Sequence, residues 1–157
     1  AEYGLSPAQT NALFLACMSP TPKQGARKPL VEYLVEKADC NINQPTSTPG
    51  CIFGTPVFEP GATPLMAAVF NGEYDLVEYL LTRGASALTA DSQGTTALHY
   101  ICGPLWKIRE GTLGWSPRKD ASLTARLLLQ AGLLPDSKNL KGISSRDLAK
   151  KYCPELL

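Results

Sequence analysis

Apolar residues between positions 61 and 93 fall into two stripes at helical spacing. Leu65, Ala68 and Val69 form a first stripe of mostly small side chains, and Leu76, Val77, Leu80 and Leu81 form a second. Each stripe predicts a short amphipathic helix, and the small residues of the first let the second approach closely. The residues between are punctuation. Thr63 is placed to cap the first helix, with Pro64 tolerated in its opening turn; Asp75 is placed to cap the second, and Gly84 permits a left-handed stop. One such pair cannot bury its apolar faces alone, whereas stacked copies can.

The pattern recurs along the chain. Gly61-Ala62-Thr63-Pro64-Leu65 returns as Gly94-Thr95-Thr96-Ala97-Leu98, 33 residues later. Leu76-Val77-Glu78-Tyr79-Leu80 repeats Leu30-Val31-Glu32-Tyr33-Leu34 identity for identity, and the L-T-R-G-A-S of 81–86 is echoed by L-Q-A-G-L-L at 129–134. A period of 33 with T-P-L near its start and L-L-x-x-G-A near its end resembles the ankyrin repeat. Residues 61–93 are a nearly complete unit; 94–102 begin the next and 120–134 finish it. Residues 142–152 resemble a closing repeat, with Arg146 at a usual leucine position. Upstream, Asn11–Cys17 stands where T-P-L-H-x-A-A would, and Lys37–Asn41 is similar to G-A-D-V-N with the glycine skipped.

The resemblance implies an all-α solenoid of about four stacked helix–turn–helix units with β-turn fingers, one domain over residues 1–157. Repeat 1 is expected over about 8–42, a finger insertion over 43–60, repeat 2 over 61–93, repeat 3 over 94–141 with an insertion at 103–120, and a capping repeat over 142–157. The function it implies is protein–protein recognition without chemistry of its own, the partner docking on the concave surface built by fingers and first helices. Carried over position by position, that surface takes Met18, Ser19, Phe70, Asn71 and Gly103 from the ends of first helices. From the finger tips it takes Asp91, Ser92, Gln93 and Thr95, then Asn139, Leu140, Lys141 and Ile143, with Tyr100 within reach. Phe70 stands at a normally variable, exposed position: it is either the best single anchor or a core residue packed on an insertion. His99, the only histidine, is implied to be structural, bonding the finger backbone and its own Thr96.

Three insertions break the period. Residues 19–29 and 103–120 lengthen the turns between paired helices and so share one edge of the stack, while 43–60 elaborates a finger. Lys23, Arg27 and Lys28 in the first, and Lys107, Arg109, Arg118 and Lys119 in the third, predict a basic edge that Lys150 and Lys151 extend and Glu73 and Asp75 interrupt. Such an edge either favours an acidic partner by screened attraction or merely solvates the solenoid. Trp106 and Trp115 lie in the third insertion, which either folds back on the stack or offers an anchor to a partner. Ile52, Phe53, Val57 and Phe58 pose the same choice in the finger insertion, whose Pro-Gly and Thr-Pro turns suggest a short hairpin.

Composition narrows the picture further. Proline and glycine together number 26 of 157 residues, and 16 of them fall in 20–29, 43–61 and 103–117, so the chain is a regular scaffold interrupted in three places. The net charge of +1 argues against a nucleic-acid protein held by global charge, and no apolar stretch is long enough to insert in a membrane. Five scattered cysteines without a C-x-x-C pair argue against zinc or a disulfide framework, and reduced thiols fit an intracellular compartment, cytoplasm or nucleus. No phosphate-binding, dinucleotide or nucleophile-elbow motif is present, Cys102 has no group to activate it, and no metal or cofactor is expected. No signal-peptide pattern opens the chain, and its start at Ala1 rather than Met suggests a mature form or an excised piece of something longer. That motivates an alternative reading: a regulatory or scaffold domain acting in cis on a neighbouring domain.

Overall fold

The computed structural model describes residues 11–18, 26–52, 55–103 and 118–157. Four short helices, α1 (Ala12–Met18), α3 (Pro64–Phe70), α5 (Ala97–Cys102) and α7 (Ser145–Tyr152), pack one on the next as an inner row. Behind them stand α2 (Lys28–Glu36), α4 (Tyr74–Thr82) and α6 (Arg118–Gln130), each against the inner helix of its own repeat. The described chain is thus a helical solenoid with one two-stranded antiparallel hairpin, β1 (Gly50–Ile52) and β2 (Thr55–Phe58).

Capping explains where the helices begin. The Thr63 hydroxyl accepts from the Met66 amide at 3.4 Å with Pro64 in the first turn, and Thr96 and Ser144 form reciprocal capping boxes with His99 and Asp147. The second helix of repeat 2 departs from expectation: its N-cap is Glu73, whose side chain makes no capping bond, and Asp75 sits in the first turn. Gly84 ends that helix at φ +96°, as the left-handed stop requires. Repeat 1 lacks this glycine, and Asp39 takes the left-handed conformation instead, at φ +53°.

The core runs through the stack as a continuous apolar layer. Leu13, Phe14 and Cys17 of α1 meet Leu65, Met66 and Val69 of α3, then Leu98, Ile101 and Cys102 of α5, and Ala149 of α7, all buried. Val31, Leu76, Val77, Leu80, Ala125 and Leu128 close the layer from the outer row, while Leu81 is only half-buried.

Successive fingers are tied by main-chain hydrogen bonds. Thr46 and Ala62 pair at 2.9 Å, the Ser92 amide donates to the Pro60 carbonyl at 2.9 Å, and the Leu140 amide donates to the Gln93 carbonyl at 2.9 Å. Gly61 and Gly94 turn the chain at φ +89° and +73° beside these contacts. A Cβ at Gly61 would come within 3.2 Å of the Ser92 nitrogen, so glycine serves both the turn and the close approach.

Candidate functional site

The concave side is built from the open face of the inner helices and the fingers. In a plain solenoid that face meets solvent, yet every residue of α3 is buried. The cover is the β1–β2 hairpin. Phe58 at its base places its ring 5.3 Å from Phe14 of α1, 5.3 Å from Phe70 of α3 and 5.2 Å from Tyr100 of α5. The first two contacts are edge-to-face, the geometry aromatic quadrupoles favour. Gly50 opposes Phe58 across the hairpin, and a Cβ there would lie 3.1 Å from the Phe58 ring and 3.2 Å from Phe14. The Pro-Gly and Thr-Pro pairs expected to form its turns instead lie at the start of β1 and within β2.

Tyr100 fastens the hairpin. Its hydroxyl donates to the Asp91 carboxylate at 2.5 Å and accepts from the Glu59 amide at 3.4 Å. Burial, reinforced by Asp91, holds this phenol far above its ordinary range, so it acts as a fixed hydrogen-bond donor. Asp91 is buried, and its other oxygen accepts from the Gln93 and Thr95 amides at 2.9 and 3.0 Å, which shapes the finger tip.

These contacts correct several expected groove positions. Phe70 is 3% exposed and packed on the insertion, because Phe58 covers the surface it was expected to offer. Asn71 is buried, its amide donating to the Cys17 carbonyl across the first two repeats. Asp91 and Gly103 are also buried, and Tyr100 faces the hairpin. Ser92 is exposed, with Gln93 and Thr95 half-buried; Met18, Asn139 and Ile143 are half-buried, and Leu140 and Lys141 are exposed. Leu140 has the highest exposure of the large apolar side chains described, 76%. Ser19, Trp106 and Trp115 lie outside the described residues, as does Phe53.

The expected basic edge loses Arg27. It is 4% exposed and its guanidinium lies 3.1 Å from Glu73 and 3.5 Å from the Cys17 carbonyl. Alignment of the two L-V-E-Y-L copies puts Arg27 and Glu73 in the same slot, three residues before the first leucine, so stacking brings opposite charges together. Burial pushes the neighbouring Cys17 thiol up to about 12, which keeps it protonated and inert. Lys28 is half-buried, 4.0 Å from Glu32 one turn on, and Lys150 and Lys151 are exposed. Lys23, Lys107 and Arg109 lie outside the described residues, and Arg118 and Lys119 open α6 with side chains outside them.

His99 does what the resemblance implies. Its Nδ1 accepts from the Thr96 amide at 3.2 Å, and Nε2 faces the Ile143 carbonyl of the next finger at 3.1 Å. Nε2 therefore carries the proton of a neutral ring, consistent with burial lowering its pKa. Among the described residues, no cluster of three His, Cys, Asp or Glu side chains is arranged to hold a metal, and no helix is long and apolar enough to cross a membrane.

Stacked helix pairs joined by hydrogen-bonded fingers define a repeat solenoid, a class that recognises other proteins. The family model described as ankyrin repeats (3 copies) matches residues 13–104, more than half of the chain, and the protein belongs to that family. A stretch of 68 residues is 35% identical to part of the phosphocholine transferase AnkX of Legionella pneumophila, covering 43% of this chain and 7% of that protein. Among solved structures the chain is similar to the ankyrin repeat domain of Bcl-3, described as a unique member of the IkappaB protein family. The TM-score is 0.52 at 21% identity, over 75% of this chain and 40% of that one. The chain therefore spans well under two-thirds of either relative, and the structural likeness concerns the fold alone.

Proposed function

We propose that the chain binds a protein or peptide partner on its finger side, over the rim left open around the hairpin, and performs no chemistry itself. The carrying observation is Leu140, a leucine 76% exposed at a finger tip whose backbone is fixed by the bond from its amide to Gln93. A large apolar side chain on an exposed tip with a fixed backbone offers surface that a partner can bury with little ordering cost. Ser92, Gln93, Thr95 and Lys141 flank it along the fingers, and Trp106 and Trp115 of the third insertion are further anchors. Lys141, Lys150 and Lys151 favour an acidic partner, which predicts binding that weakens as salt rises.

Affinity capture with wild type, Leu140→Asp and Trp115→Ala tests this reading. Loss of the same partner in the Leu140→Asp sample, with an unchanged melting temperature, supports it; full retention by both variants rejects the finger rim and the third insertion together. The cis alternative makes a distinct forecast, because a neighbouring domain attached to this one would mask the partner surface and Leu140→Asp would unmask it.

A further inference from the structure

Internal repetition supplies a reference for every position of repeat 1. Tyr79 and Arg83 of α4 reach back to the preceding repeat and clasp Glu36 in the last turn of α2: the Tyr79 hydroxyl donates to its carboxylate at 2.9 Å, and the Arg83 guanidinium pairs with the same oxygen. Arg83 also lies 5.5 Å over the Tyr79 ring, which holds the two side chains as one unit. The identical L-V-E-Y-L segments place Tyr33 in the slot of Tyr79 and Lys37 in the slot of Arg83. Repeat 1 thus carries a tyrosine and a cation in the two clasp slots, with lysine in place of arginine, and both side chains are exposed.

The apolar positions around those two slots are exposed where their counterparts are covered. Leu30 is 52% exposed and its counterpart Leu76 is 1% exposed; Leu15 is 44% exposed, whereas Ala67 in its slot is fully buried. Tyr33 itself is 60% exposed, while Tyr79 is half-buried. The difference has one cause: a repeat packs against that side of repeat 2 and none of the described elements packs against it in repeat 1.

We infer that this end face of the solenoid, formed by Leu15, Leu30, Tyr33 and Lys37, docks a helix pair of ankyrin type whose outer helix ends in a glutamate. The occupant is specified by the internal copy. Leu15 and Leu30 require an apolar helix surface, and Tyr33 with Lys37 requires a carboxylate at the position that Glu36 holds for Tyr79 and Arg83. This surface lies at one end of the stack, apart from the finger rim, so its fate is independent of the reading above.

The test uses the chain's own repeat 1 as the probe. Residues 11–61 are duplicated directly ahead of Thr10, which puts the copy's Glu36 29 residues before Leu13, the spacing Glu36 has to Leu65, so that α1 follows the copy as α3 follows repeat 1. Docking is expected to raise the melting temperature by about 4 °C or more and to slow amide exchange in the original α2. Glu36→Gln in the copy alone is expected to forfeit about 1–3 °C of that gain. Leu30→Glu with Tyr33→Glu in the original is expected to abolish it, while leaving the melting temperature of the unduplicated chain within about 1 °C of wild type. A duplicated chain without the gain, with the original α2 exchanging as before, overturns the inference whether or not the copy folds. So does a crosslink within one unduplicated chain between residues 1–10 and Lys37, which gives the face to the chain's own start. A dimer of the unduplicated chain that Tyr33→Glu dissolves overturns it too, by assigning the face to a second copy.

Discussion

Arg27 and Glu73 show how one buried contact depends on its partner. Both side chains are almost fully buried, and an ion removed from water is tolerated only while its counter-charge stays beside it. Arg27→Met is expected to cost about 3–5 kcal/mol in urea unfolding, because Glu73 remains buried without its cation. Adding Glu73→Leu should recover most of that loss; a double variant as unstable as the sum of the singles would show that the two charges are not coupled. His99 gives a pH dependence at the same scale. Burial lowers its pKa in the folded chain, so as pH falls the unfolded chain takes up the proton first and stability declines. The decline is expected to begin near pH 6.5, the value of an unperturbed histidine, and to deepen toward pH 5. Urea midpoints measured from pH 8 to 5 should flatten in His99→Gln, and an unchanged slope would assign the dependence to other groups. The role of His99 was legible in the sequence because its slot in T-A-L-H fixes its neighbours. The burial of Arg27 was not, since a basic side chain in a proline-rich insertion reads as solvated until its slot is laid over that of Glu73.

The elements follow the same division. Helix positions are legible because 33-residue periodicity repeats each signal, and the caps at Thr63 and Thr96 sit where side-chain chemistry demands. The hairpin has no second copy to compare with. Its strands hold a glycine and a proline, residues that mark turns by composition: Gly50 is required by the approach of Phe58 and Phe14, and Pro56 sits in a two-stranded ribbon. That is why Phe70 reads as exposed from its slot yet is covered in the fold: repeat spacing describes the scaffold and carries no information about what an insertion folds onto. Phe58→Ala is expected to destabilise the chain by about 3–5 kcal/mol, with loss of near-ultraviolet circular dichroism from the aromatic cluster. A change below about 1 kcal/mol would mean that the hairpin merely rests on the groove.

For the whole molecule, the hairpin alters how the stack comes apart. Where each unit touches only its neighbours, an end unit can melt while the remainder stands, and unfolding spreads along the array in steps. Phe58 touches α1, α3 and α5 at once, so repeat 1 and repeat 3 share a contact although repeat 2 lies between them. Peeling away the first helix pair exposes a ring that α3 and α5 also need, and the half-melted array loses much of its advantage over the fully unfolded chain. A single aromatic side chain thereby ties the melting of repeats 1, 2 and 3 together, where a plain linear array would let them go one after another.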